Sequence, residues 1–195
     1  MLRTSAPLTG ALGVAGIPVV HLLGISHSFQ LRAVLPLRDN GLIDNIGAAP
    51  IADELENYIR GLIRPLAIST IAEEYSAKKL KEKLEIDPKA YLIGMSICGS
   101  FGQMEHLFCD PDHEEREVLF KIAGISKAED TRRGFPVREA EWLRRLHPYL
   151  SKGNVLFLCG ACHIDSFGQK LVDAGIEVKL LVRDFEDELF YAGKN

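Results

Sequence analysis

Short apolar runs rich in β-branched residues alternate along this chain with segments whose apolar residues recur at helical spacing. Strands that alternate with helices form a parallel sheet with helices packed on its faces. The pattern therefore predicts a three-layer α/β fold, a mainly parallel sheet flanked by helices. The predicted strands are residues 18–23, 66–72, 91–98, 104–109, 154–159 and 177–182. Of these, the segment 91–98 also fits a buried helix, because a short apolar run has no clear period.

Four segments predict helices. The first follows Pro50, which suits a first helical turn, and carries one apolar stripe as far as Ile63. The second covers residues 76–85 and is rich in lysine, with Ser76 as its expected N-cap. The others cover residues 112–123 and 136–150. Between these last two, residues 124–135 are polar and rich in turn formers, which predicts an exposed and mobile loop.

Size and charge limit the class of protein. The chain has 195 residues, 47% of them hydrophobic and 26% charged, so it can bury a substantial core. We expect one α/β domain, with residues 1–16 as a flexible segment ahead of it. The 23 basic and 27 acidic residues are scattered and give a net charge of -4, which argues against nucleic-acid binding. The expected partner is a small-molecule or peptide substrate, and formation of a homo-oligomer is left open.

Two features bear on the compartment. The N-terminal 24 residues are the only candidate for an export signal, but Gly and Pro dilute their apolar run and no clear cleavage site follows. Three of the four cysteines lie in or beside apolar runs, where a free thiol behaves as a small hydrophobe. No stretch approaches the roughly 18 apolar residues needed to span a membrane. These observations predict a reduced, cytoplasmic protein.

The most informative motif occurs twice. VVHLLGISH, which ends at His27, and VLFLCGACH, which ends at His163, align without a gap, and each is an apolar strand followed by Gly-x-x-His. The carboxyl ends of parallel strands open on one side of the sheet, and Gly24 or Gly160 there lets the backbone pass close to a neighbour or a ligand. Both imidazoles are therefore expected in the crevice above the sheet. Either histidine could instead cap a helix or bind a backbone carbonyl.

Acidic residues also follow predicted strands. LAISTIA runs directly into Glu73 and Glu74, whose adjacent side chains must point to opposite sides, and we expect Glu73 to face the crevice. Either glutamate could instead begin the next helix, where an acid is favourable. Asp110 ends the strand before Pro111 and is a further candidate acid. As an N-cap, Asp110 would need no function.

Two arginines occupy unusual helical positions. Arg138 shares a face with Trp142 and Leu146 and lies in the first turn of its helix, where the dipole disfavours a cation. A cation on an apolar stripe needs a buried carboxylate or an anionic ligand, so Arg138 is a candidate for binding either one. Arg116, four residues before Phe120, is a weaker case. For both, a stem lying on the apolar surface with its charge in water is the ordinary alternative.

Cys159-Gly160-Ala161-Cys162-His163 also spells the attachment pattern of c-type haem, and its two cysteines fit a redox dithiol or half a zinc site. Haem attachment requires export, and zinc would need a second pair that Cys98 and Cys109 do not supply. The motif is therefore not assigned to either chemistry, and a redox dithiol is left open.

A resemblance to a known superfamily rests on the ordered set Gly24-x-x-His27, Glu73, Asp110, Arg138 and Gly160-x-x-His163. Two Gly-x-x-His motifs around a strand-end glutamate resemble the superfamily that includes the erythromycin esterases, the ChaN-like haem-iron proteins, and the TraB and Tiki proteins. The resemblance covers most of the chain through few fixed residues. It implies an α/β fold with a site made of both histidines and the glutamate. Hydrolysis in some members and haem or iron binding in others are both compatible with it, since fold kinship does not choose a function.

The leading hypothesis is a hydrolase. His27, Glu73 and His163 would either bind a divalent metal (Zn, Mn or Fe) that activates water or act without metal as acid and base. Arg138 would hold an anionic group or a developing oxyanion. The expected substrate-binding residues are Gly24, Gly160, Glu74, Asp110 and Arg116.

Two other classes compete with the hydrolase. In a binding protein, the same histidines would ligate haem iron or a metal without turnover. In a structural or partner-binding domain, the polar groups would satisfy one another. The sequence has no Walker phosphate loop, no Gly-x-Ser-x-Gly elbow and no full dinucleotide fingerprint, which disfavours an ATPase, a serine esterase or a dehydrogenase.

Overall fold

The structure, a computed structural model, describes residues 18–32, 48–126 and 133–187. Its strands in chain order are β1 (Val19–Ile25), β2 (Leu31–Arg32), β3 (Ile68–Glu73), β4 (Tyr91–Leu92), β5 (Glu105–Phe108), β6 (Asn154–Gly160) and β7 (Glu177–Val182). Five of these strands form a parallel sheet in the order β5-β3-β6-β1-β7. The other two, β2 and β4, pair antiparallel in a small separate sheet.

The helices are α1 (His27–Gln30), α2 (Ala48–Ile63), α3 (Ala77–Ile86), α4 (Ile93–Phe101), α5 (His113–Ala123), α6 (Phe135–Leu150) and α7 (Ile164–Asp173). A short 3-10 turn, Ala161–His163, joins β6 to α7. As predicted, Ser76 caps α3, where its side chain accepts a hydrogen bond from the Lys79 amide. Asp112 caps α5 through a reciprocal capping box with Glu115.

Two hydrophobic cores separate the layers, which confirms the predicted three-layer α/β fold. One core packs α2 and α4 against the sheet and contains Ile71 and Leu158. The other packs α6 and α7 against the opposite face and contains Ala72 and Phe157. Successive residues of a strand point to opposite faces, so each buried strand contributes to both cores. This explains the nearly continuous apolar runs of the sequence.

One predicted strand is wrong. Residues 91–98 contain only the two-residue strand β4, and the chain then turns into α4. The buried residues of α4 are Ile93, Gly94, Ile97 and Cys98, whose spacing places them on one face of a helix. The remaining predicted strands are confirmed within two residues at each end.

Several expectations fall outside the described residues, including those for residues 1–16 and for half of the loop predicted at 124–135. Within the described part of the chain, no helix combines the length and the apolar character needed to cross a bilayer.

Candidate functional site

Polar side chains follow four neighbouring strands at the carboxyl edge of the sheet. Asp110 follows β5, Glu74 follows β3, His163 follows β6 and His27 follows β1. Because these strands are adjacent in the order β5, β3, β6, β1, the four side chains form a row along this edge. The two Gly-x-x-His motifs therefore lie on adjacent strands, and both histidines are at the edge of the sheet where the sequence predicted them.

Glu74 is the centre of the row. Its Oε1 accepts a hydrogen bond from Arg138 and lies 3.4 Å from His163 Nε2. Its Oε2 accepts one from the Gly160 amide at 2.8 Å and lies 3.5 Å from His27 Nε2. Burial alone would raise the pKa of this carboxyl, but His27, Arg138 and His163 outweigh burial and lower the pKa to about 2. Glu74 is thus a buried carboxylate, 1% exposed, shared by two imidazoles.

The expectation that Glu73 faces the histidines is wrong. Glu73 shares a face of β3 with Ile71, toward α4, and its Oε1 lies 3.0 Å from His106 Nε2. A Cβ at Gly94 would lie 2.1 Å from Glu73 Oε1, so a glycine in α4 makes room for this carboxylate. Glu74 shares its face with Ala72, toward α6, where Arg138 lies. Because successive side chains of β3 point to opposite faces of the sheet, Glu74 and not Glu73 lies beside the two histidines.

His27 is the accessible histidine of the row. Its side chain is 48% exposed, and its Nδ1 lies 2.9 Å from Gln30 Oε1. The hydrogen bond with Glu74 raises the pKa of His27, whereas partial burial lowers it. The charge of Glu74 and the hydrogen bond with Gln30 raise the pKa further, so the net effect is a rise. His27 therefore combines contact with solvent and a stabilised imidazolium.

His163 is enclosed. It is 1% exposed, and its ring lies 4.0 Å from that of Phe135 and 4.8 Å from that of Trp142. Its Nδ1 lies 2.8 Å from Oε1 of Glu139, a buried residue that also accepts a hydrogen bond from Ser166. Carboxylates thus face both ring nitrogens and fix the orientation of the imidazole.

Glu139 is a site residue that the sequence analysis missed. It lies four residues after Phe135 and three before Trp142, and therefore on the same stripe of α6. Like Arg138, Glu139 is a charge on the apolar stripe of its helix, and a charge there needs a buried partner, so the sequence did contain a signal for it.

Arg138 has two carboxylate partners. Its Nε donates to Asp110 Oδ1 at 2.9 Å, and its Nη2 donates to Glu74. Trp142 Nε1 also donates to Asp110 Oδ1, and Arg116 donates to Oδ2 at 2.7 Å. Of the alternatives weighed for Arg138, the buried carboxylate is confirmed. The N-cap role for Asp110 is wrong, because Asp112 caps α5.

The two motif glycines serve different purposes. A Cβ at Gly24 would lie 1.8 Å from the Arg183 carbonyl oxygen, so this glycine allows close backbone packing. A Cβ at Gly160 would lie 3.1 Å from His27 Nε2 and 3.4 Å from Glu74 Oε2. Gly160 therefore borders the site, whereas Gly24 supports the strand that carries His27.

The cysteines of the second motif differ in environment. Cys159 is buried and Cys162 is exposed, and both are free thiols. Burial raises the pKa of Cys159 well above its ordinary value, and burial and then Glu74 raise that of Cys162. Both shifts disfavour the thiolate, the form needed for thiol redox chemistry or metal binding.

The donors around Glu74 do not fit a divalent metal. Arg138 and the Gly160 amide already bind its two oxygens, and a guanidinium at this position repels a cation. With Glu73 on the other face, the expected metal set of His27, Glu73 and His163 does not assemble. Across residues 18–32, 48–126 and 133–187, no group of three His, Cys, Asp or Glu side chains is arranged to hold a metal ion.

Comparison of the chain with protein-family models, with curated proteins and with solved structures found no match.

Proposed function

We propose that this protein is a hydrolase in which His27 transfers protons without a metal. The observation that carries the proposal is a half-exposed imidazole backed by a buried carboxylate, Glu74, at the carboxyl edge of a parallel sheet. Ligands of open α/β sheets bind at this edge. An imidazole with a raised pKa and access to solvent is suited to general acid and base catalysis near neutral pH.

The reaction needs His27 in both protonation states. Neutral His27 takes a proton from water as the water oxygen attacks the electrophilic atom of the substrate. The resulting imidazolium then returns the proton to the leaving group as the scissile bond breaks. Glu74 remains ionised throughout, because its pKa lies far below neutral pH, and it stabilises the imidazolium.

The remaining polar groups hold Glu74 in place. Arg138 and the Gly160 amide bind its two oxygens, while His163, held by Glu139, lies against Oε1. A carboxylate fixed in this way needs no reorganisation when charge develops on His27. We therefore propose that Arg138 positions Glu74, in place of the expected role of holding a substrate anion.

The resemblance to the erythromycin esterase and TraB superfamily supports the same proposal, since its motif is two histidines around a glutamate. In this chain, Glu74 would fill the place expected for Glu73. Because the resemblance is also compatible with haem or iron binding, the test must separate turnover from binding.

Hydrolysis of chromogenic esters and phosphoesters tests the proposal. We expect turnover by the wild type, loss of about 100-fold or more in His27→Ala and Glu74→Gln, and no loss in His147→Ala, which removes an exposed histidine of α6. For the active substrate, kcat/KM should rise with pH through the raised pKa of His27. Equal activity of His27→Ala and wild type would contradict the proposal.

The same preparations decide between the alternatives. Activity that persists after chelation supports metal-free catalysis. Activity lost on chelation and restored by Zn, Mn or Fe would replace it with the metal-dependent version. Without turnover, a Soret band that appears with haem and is absent in His27→Ala would identify a haem-binding protein instead.

A further inference from the structure

A cavity of about 780 Å³ opens beside the row of site residues. It lies between α3 and α5, and Asp110 belongs both to its wall and to the chain of contacts that leads through Arg138 to Glu74. This volume is in the range of pockets that bind small molecules, roughly 300–1,000 Å³. A ligand in the cavity would therefore lie at the Asp110 end of the row, whereas His27 follows β1 at the other end.

Most of the charged groups in the cavity wall are already compensated. Asp110 binds Arg116 and Arg138, Glu114 binds Lys78, and Asp112 accepts from an amide of its own helix. Glu82, Glu117 and Lys121 also line the wall, and Glu117 lies 3.5 Å from His113.

Lys79 is different. Its ammonium lies 4.9 Å from the centre of the Tyr75 ring, and among the described residues it makes no ion pair. Its pKa is lowered chiefly because the protein displaces water from the ammonium, and Arg116 and Lys83 add repulsion that Asp110 and Glu74 oppose. The charge of Lys79 also acts on His27, whose pKa it lowers. Lys79 is thus a cation of the cavity wall whose contact in the described part of the chain is with an aromatic ring and not with a carboxylate.

We propose that the cavity between α3 and α5 binds the anionic oxygen group of a small substrate, a phosphate or a carboxylate, through Lys79 with Arg116 beside it. A lysine ammonium acts as a point charge toward such groups, and a neighbouring guanidinium adds a planar donor. The inference deepens the proposed function, on which it rests, by giving the hydrolase an anionic substrate class. The scissile bond would lie on the His27 side of the anionic group.

Titration with inorganic phosphate, at constant ionic strength and followed by NMR, tests the site directly. In the wild type we expect saturable shifts of the Lys79 and Arg116 signals and a rise in the pKa of His27, because a bound anion offsets the Lys79 charge. Lys79→Gln should weaken phosphate binding by about fivefold or more. The matched control is Lys81→Gln, which removes the same charge from the same helix outside the cavity wall and should bind like the wild type.

A parallel titration with acetate shows whether the site prefers a phosphate or a carboxylate group. Tighter phosphate binding favours a phosphorylated substrate, and tighter acetate binding favours a carboxylated one. If neither anion saturates the wild type, or if Lys79→Gln binds both as well as the wild type does, the proposal is overturned.

The anion site and the hydrolase function can be tested separately, because anion binding does not depend on turnover. His27→Ala should retain phosphate-dependent shifts at Lys79 and Arg116, because binding requires no turnover. An anion site that persists in a protein without hydrolase activity would therefore contradict the function and leave the binding site standing.

Discussion

His27 and His163 follow neighbouring strands, and each faces a different oxygen of Glu74, at 3.5 and 3.4 Å. Their surroundings differ: His27 is 48% exposed and its second nitrogen meets the neutral Gln30, whereas His163 is 1% exposed and meets the carboxylate of Glu139. The repeated Gly-x-x-His motif therefore places both imidazoles beside the same carboxylate, but the two imidazoles differ in exposure and in their second partner.

The difference comes from α6. Its first two turns place Phe135, Glu139 and Trp142 against His163, and these contacts bury the ring. His27 lies at the other side of Glu74 and keeps contact with solvent. In the proposed hydrolase, His27 would transfer the proton and His163 would position Glu74.

Removal of the shared carboxylate should have the largest effect. Glu74→Gln takes the charge from between both histidines and leaves Arg138 with one ionic partner, Asp110. Loss of one partner from a buried ion pair costs about 3–5 kcal/mol. Urea unfolding measures this loss, and Glu82→Gln, at an exposed position of α3, is the control. A stability equal to that of the wild type would show that Glu74 is not the centre of the network.

Alanine in place of each histidine separates the two roles. His163→Ala should destabilise the fold by about 2–4 kcal/mol, because it empties a buried site and leaves Glu139 without its ring partner. His27→Ala should change stability by no more than about 0.5–1 kcal/mol. Both should abolish turnover. Equal losses of stability in thermal unfolding would refute the distinction.

The two motif glycines extend the comparison. Gly24→Ala would drive a Cβ into the Arg183 carbonyl and should cost about 1–3 kcal/mol or more. Gly160→Ala meets the half-exposed His27 side chain, which can move, so it should lower kcat with little loss of stability. Calorimetry and kinetics on both variants provide the test. A large loss of stability in Gly160→Ala, together with normal stability and lowered kcat in Gly24→Ala, would contradict this assignment.

The pH dependence of stability should show two limbs. The pKa of Glu74 falls from 4.5 to about 2 on folding, so its contribution is present above pH 4.5 and is lost as the pH falls toward about 2. The pKa of His27 rises from 6.5, so its smaller contribution is present below pH 6.5 and is lost as the pH rises through the raised value. In denaturant titrations at several pH values, His27→Ala should lose the alkaline limb. Persistence of that limb would assign it to another group.

The sequence predicted the sheet because buried parallel strands are continuous apolar runs, and it placed the two histidines because both follow such strands. It favoured Glu73 over Glu74 and was wrong, since the choice depends on which face of β3 receives α6. That face is fixed by packing between elements distant in sequence, as the contact between Glu74 and Arg138 shows.

Two further features required the three-dimensional structure. Residues 91–98 are apolar on nearly every side, so only their packing against Ile71 and the rest of that core reveals the helix α4. The exposure of His27 and the enclosure of His163 also could not be read from two identical motifs. They depend on where α6 crosses the end of the sheet.

The titration of the His27 imidazole by NMR, in wild type and Glu74→Gln, tests the central claim most directly. The account predicts a pKa above 6.5 in the wild type and a lower one in the variant, because Glu74 is the main cause of the rise. A wild-type pKa at or below 6.5 that does not change in Glu74→Gln would contradict the account, since His27 would then titrate independently of the buried carboxylate.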